Sequence, residues 1–82
     1  MMKKTPRIKI PKSVRNYVFH RDNYQCQSCG KKEQETQLNI DHIIPLAKGG
    51  SNDISNLQTL CQTCNQQKNI ILILAFVVTL PN

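Results

Sequence analysis

Residues 38–45 read Leu38-Asn39-Ile40-Asp41-His42-Ile43-Ile44-Pro45, and the fold follows from how this stretch is read. Alternation and β-branched side chains over 38–44 predict a strand. Pro45 closes it, because proline has no backbone N–H to give to a ladder. Gly49-Gly50-Ser51-Asn52-Asp53 then signals a loop. A second short strand or extended segment is expected around Leu57 to Leu60, leading into Cys61-Gln62-Thr63-Cys64. Asn65-Gln66-Gln67-Lys68 should continue as a helix, giving the order strand, loop, strand, helix.

Toward the N-terminus, Cys26-Gln27-Ser28-Cys29-Gly30 looks like a knuckle, in which glycine after the second cysteine frees the backbone for a tight turn. Before it, Pro11 sits where a helix can begin. Val14, Tyr17 and Val18 recur at helical spacing, so Lys12 to Arg21 reads as a short amphipathic helix that Asp22-Asn23 ends with a turn. The segment ahead of it has no clear period and reads as a basic, flexible arm over residues 1–11.

The chain has 82 residues and is expected to form one domain. A core of that size supplies only about 3–5 kcal/mol, so something else must staple it. Cys26, Cys29, Cys61 and Cys64 form two Cys-x-x-Cys pairs. No apolar stretch follows the basic N-terminus to make a secretory leader. A reducing cytoplasm is therefore the expected location, where cysteine clusters favour metal over disulfide. Two such knuckles offer zinc four thiolates in a tetrahedron with little strain; two disulfides or four free thiols are the alternative. The 31 residues between Cys29 and Cys61 form a loop large enough to carry a separate site. Four sulfur ligands leave the ion no place for water, so its expected role is structural.

Eleven Lys and Arg against five Asp and Glu give a formal charge of +6. That balance suits a polyanion, and a solvated, solubilising charge run reads equally well from charge alone. Many of the cations lie near the N-terminus, among them Lys9, Lys12, Arg15 and Arg21, which makes that end the expected place for phosphate contacts. His20, beside Arg21, reads as a surface histidine without a role. Ile70 to Leu80 is almost wholly apolar but too short for a membrane-spanning helix, which needs about 20 residues. It reads as a segment buried in the core, as a contact with a second copy or a partner protein, or as an irregular end.

Within the loop closed by the cysteines, Asp41-His42 joins a hard oxygen ligand to the side chain best suited to proton transfer near neutral pH. Neighbouring side chains on a strand point to opposite faces, so both serve one site only where the strand twists or ends. Taken alone, the pair reads as a surface or hydrogen-bonded histidine beside an acid. The wider pattern is Asp41-His42-Ile43-Ile44-Pro45, Gly49-Gly50, Asn56-Leu57, Leu60-Cys61, Cys64-Asn65 and Lys68, preceded by Arg21-Asp22-Asn23 and Cys26-x-x-Cys29-Gly30. Over about residues 12 to 69 it closely resembles the zinc-bearing branch of the HNH endonuclease family.

That resemblance implies a small α+β architecture, the ββα-metal or His-Me finger nuclease fold, stapled by a structural zinc site of four cysteines. It implies a nuclease domain over 12–69, flanked by the arm and by the apolar segment 70–82. His42 would be the general base that activates water, with DNA as substrate and 5′-phosphate and 3′-hydroxyl ends as products. Asp41 would bind the catalytic ion. Asn56 would bond backbone across the loop and orient the histidine. Asn65 stands where the last histidine of the motif is expected, and its harder, weaker oxygen favours magnesium or manganese, with nickel the remaining candidate. Lys68 would reach phosphate from the helix or stand solvated. The competing reading is a catalytically inert zinc-knuckle module that binds nucleic acid.

Overall fold

A computed structural model describes residue 6, residues 8–68 and residue 70. Lys3, Lys4 and Arg7 of the basic arm, and the apolar run from 71 onward with its expected core or partner contact, lie outside the described residues. The architecture is small α+β. Helix α1 (Lys12–Arg21) precedes an antiparallel hairpin of β1 (Leu38–His42) and β2 (Leu57–Cys61), and helix α2 follows over residues 62–68. Single 3-10 turns, Leu46–Lys48 and Ile54–Asn56, lie in the connection between the strands. Among the described residues no helix is long and apolar enough to cross a membrane.

Helix α1 has the expected bounds. Pro11 stands at its N-cap, and the Pro11 carbonyl accepts the N–H groups of Val14 and Arg15. Val18 is fully buried and Val14 partly so, whereas Tyr17, expected on the same face, is 54% exposed. After Asp22 the chain reverses through Asn23 (φ 59°) and Tyr24 (φ 50°), a left-handed pair in which asparagine is at home and the bulky tyrosine is unusual. Phe19 stacks on Tyr24 with ring centroids 5.9 Å apart, and the Tyr24 N–H reaches the Phe19 carbonyl, so packing and a hydrogen bond hold the turn.

The strands pair in register from Leu38 with Cys61 to His42 with Leu57. β1 stops two residues earlier than the β-branched run suggests, and the reason is Asn56. The Ile43 N–H goes to the Asn56 carbonyl, while the Ile44 N–H and carbonyl are both taken by the Asn56 carboxamide. The chain therefore follows a side chain where a ladder would otherwise continue. Helix α2 begins three residues earlier than expected, because Cys61 caps it. The Cys64 N–H donates to Cys61 Sγ at 3.3 Å, the part an N-cap oxygen ordinarily plays.

The outer edge of β2 is closed by the segment after α1. Leu57 O accepts from Arg21 Nη2, the Thr59 N–H donates to Asp22 Oδ2 at 2.9 Å, and Thr59 O accepts the Gln27 N–H. A bare edge would otherwise be open to pairing with another chain. Val18, Leu57 and Thr59 are fully buried. Cys26, Leu60 and Cys61 form a buried cluster with Leu38 and Cys64 packed on it, so three of the four cysteines belong to the core itself, while Cys29 is exposed.

Asp22 is only 8% exposed. Burial pushes its carboxyl up, but the paired bonds from Arg21 and the Thr59 N–H outweigh burial and hold it below the usual carboxylate value. A depressed folded value stabilises above the unfolded pKa and loses that contribution as pH falls through the folded one. Asp22→Asn should cost about 1–3 kcal/mol, since the amide keeps only one accepting oxygen, turns a donor toward Arg21 or the buried Thr59 N–H, and removes the charge that Arg21 pairs with. Urea melts should show that penalty unchanged from pH 8 to 6, because the carboxyl stays ionised throughout. A penalty that fades over that interval would show that the ionised carboxylate is not the stabilising form.

Candidate active site and metal centre

The four cysteines converge on one point. Their Sγ atoms all lie within 4.8 Å of one another, with Cys29 and Cys61 3.7 Å apart. A zinc ion with four Zn–S bonds of about 2.3 Å gives a tetrahedron with edges of about 3.8 Å, so the spacing fits. Gly30, at φ 84°, turns the chain back after Cys29, and its N–H bonds the Cys26 carbonyl. Backbone N–H groups of Cys29 and Cys64 point at Cys26 and Cys61 sulfur respectively, the same turn made twice.

The titration of these thiols points the same way. Burial pushes the Cys26 thiol up, yet the N–H groups of Cys29, Cys61 and Ser28 outweigh it and bring the thiol down to about 6. Cys64 is pushed up to about 12, first by its bond with Cys61 and then by burial. Four thiolates this close cannot coexist without a cation among them. The donor set and its spacing fit zinc.

The Asp41-His42 pair lies at the other end of the hairpin. Because β1 ends at His42, both side chains border one cavity of about 410 Å³, together with Asn65 and Lys68. Ile8 and Ile10 of the N-terminal arm form part of its wall. Asp41 Oδ2 accepts from Lys68 Nζ at 2.6 Å and from Gln58 Nε2 at 3.0 Å, Gln58 being its cross-strand partner. Lys68 Nζ also reaches the carbonyls of His42 and Ile43, so one ammonium ties α2 to the end of β1. Among the described residues the hydrogen bonds to the Asp41 carboxylate all fall on Oδ2, and Asn65 borders the same cavity as Asp41. One carboxylate and one carboxamide suit a magnesium-type ion, which keeps several waters and takes further oxygens from a phosphate.

Among the described residues no hydrogen bond joins the side chains of Asn56 and His42; Asn56 acts on the backbone beside it. Its Oδ1 accepts the Ile44 N–H at 2.9 Å, and its Nδ2 donates to Ile44 O and Ser51 O. Gly50 is required by the same stitch: a Cβ there would lie 1.9 Å from Ile44 O and 3.0 Å from Asn56 Nδ2. The side chain that meets His42 is Asn52, whose Oδ1 lies 2.9 Å from His42 Nε2. Reading residues 49–53 as a loop passes over it. The available signal is a carboxamide in a glycine loop ten residues from a histidine at a strand end.

The cations divide into two groups. Lys9 and Arg15 border a larger open groove of about 750 Å³ that also touches Asn65, and Lys12 is exposed at the start of α1. Arg21 instead bonds both Asp22 oxygens and the carbonyls of Ile54 and Leu57.

A sequence profile of HNH endonucleases matches residues 26–75. The chain is similar to anaredoxin of Nostoc sp., with 40% identity over 57 residues that cover 70% of this chain and 67% of that protein. It is 41% identical over 49 residues to the CRISPR-associated endonuclease Cas9 of Corynebacterium diphtheriae, covering 58% of this chain and 4% of Cas9. A probable HNH endonuclease of Lactococcus phage SK1 is 34% identical over 62 residues, 68% of this chain and 65% of the phage protein.

Cys61 both closes the sulfur cluster and caps α2. Metal analysis should find about one zinc per chain in the wild type, and Cys61→Ser should lose it and abolish cooperative thermal unfolding. A zinc-free variant that still unfolds cooperatively would contradict the staple.

Proposed function

The chain belongs to the HNH endonuclease family, and from that membership we propose that it hydrolyses DNA phosphodiester bonds with His42 as general base and one divalent ion held by Asp41 and Asn65. The observation that carries the proposal is the single cavity bordered by Asp41, His42, Asn65 and Lys68. It gathers a hard carboxylate, a second oxygen donor and an imidazole at one place in the family's strand, strand, helix frame.

A phosphodiester resists attack because it is charged, and a divalent ion bound here would neutralise the developing oxyanion and steady the leaving oxygen. The chain's own residues do the rest. His42 accepts the proton from water as the new P–O bond forms. Gln58 and Lys68 both bond Asp41 Oδ2 and hold the carboxylate that would bind the ion. Asn56 holds residues 43 and 44 and thereby the end of β1. The cysteine cluster, filled with zinc, is structural, since four sulfurs leave no open position. Lys9, Lys12 and Arg15 supply phosphate contacts, whereas Arg21 and Lys68, engaged inside the fold, order the site. A reducing cytoplasm suits the four thiolates.

One observation favours a second reading, the inert zinc-knuckle module that binds nucleic acid: the Lys68 ammonium already lies on Asp41 where a metal would add its charge. Supercoiled plasmid incubated with Mg²⁺, Mn²⁺ or Ni²⁺ separates the two readings. The wild type should nick it, and His42→Ala should lose at least about 100-fold, in keeping with the usual worth of a general base. Equal nicking by both proteins would remove His42 from the role. Gel retardation without nicking would favour the inert module.

A further inference from the structure

We propose that Asn52 is a positioning residue that fixes the ring orientation and tautomer of His42, leaving Nδ1 as the basic nitrogen. The proposal rests on the reading of His42 as the base and names the group that sets it.

Hydrogen-bond direction follows from chemistry around Asn52. A carboxamide has one accepting oxygen and one donating nitrogen. The Asn52 Nδ2 lies 3.2 Å from the Pro6 carbonyl, which can only accept, so the amide nitrogen must face Pro6. Oδ1 is then the atom 2.9 Å from His42 Nε2, and it too can only accept. His42 Nε2 must therefore carry the hydrogen. A neutral imidazole has one N–H, so Nδ1 keeps the lone pair. A histidine that takes a proton from water needs both a free ring nitrogen and a fixed ring, and one half-buried carboxamide provides both.

The placement has a structural logic. Asn52 lies in the loop after Gly49-Gly50, and that loop is pinned by Asn56 through Ser51 O. On its other side Asn52 is held by Pro6, in the segment whose Ile8 and Ile10 wall the cavity. The arm and the loop thus meet at one side chain, and that side chain meets the base. Among the described residues Asn52 makes no bond to the cysteines or to Asp41, so its loss leaves the zinc staple and the metal seat in place.

The test is side-chain NMR of the zinc-loaded protein with ¹⁵N-labelled histidine, alongside plasmid nicking. Wild-type His42 should show a pyrrole-like Nε2 with a visible, slowly exchanging proton and a pyridine-like Nδ1. In Asn52→Ala that proton should vanish into exchange and the ring shifts should move toward averaging. Its nicking rate at saturating DNA should fall about 10–100-fold, as for other groups that orient a working histidine, with KM for DNA unchanged. Asn52→Asp keeps the accepting oxygen and should restore the Nε2 proton and most of the rate. Zinc content and melting temperature should match the wild type in both variants. A ring spectrum in Asn52→Ala identical to the wild type would overturn the proposal, as would a nicking rate that does not change. The NMR result stands whether or not plasmid is cut, so failure of Asn52 to hold the ring is distinct from failure of His42 to act as base.

Discussion

Four sulfur atoms within 4.8 Å of one another set the position of everything else. Two come from the turn between α1 and β1, one from the last residue of β2 and one from the first turn of α2. An ion among them would join three segments that share only a small apolar core. The same atoms direct α2: Cys61 sulfur caps the helix, and the helix carries Asn65 and Lys68 one and four residues beyond Cys64. Where α2 leaves the cluster decides whether those side chains reach the end of β1. The staple and the candidate active site are therefore one mechanical unit, although no sulfur borders the cavity.

At the opposite end of the hairpin, order comes from polar side chains on backbone. The Asn56 side chain takes both backbone groups of Ile44, and Gly50 leaves room for it to do so. Arg21 and Asp22 close the outer edge of β2. Lys68 completes the set by bonding Asp41 and two carbonyls at the turn after β1. Each of these groups would be expensive to leave unpaired at partial burial, so they specify one arrangement where apolar packing is too small to do so.

Much of this is legible in the sequence. Periodicity and Pro11 place α1, the doublet cysteines place the metal cluster, and Asp41-His42 before Pro45 and a glycine loop place the cavity. The remainder is hidden because it depends on side chains that compete with backbone pairing. β-branched Ile43 and Ile44 favour a longer strand, but the Asn56 side chain takes both polar groups of Ile44, and Lys68 takes the Ile43 carbonyl. A cysteine as a helix cap has no weight in ordinary capping preferences, so the sequence pattern starts α2 three residues late. Arg21 reads as a free cation until its four acceptors are seen, and Asn52 reads as a loop residue until the fold brings it to His42.

The proposed activity requires Asp41 and Asn65 to meet one ion beside His42. Mn²⁺ titrated into zinc-loaded, ¹⁵N-labelled protein tests this directly, since a paramagnetic ion broadens the resonances nearest to it. Asp41, His42, Asn65 and Lys68 should broaden first and together at substoichiometric Mn²⁺. Broadening centred on Glu33, Glu35 or Asp53, with Asp41 and Asn65 left sharp, would contradict it.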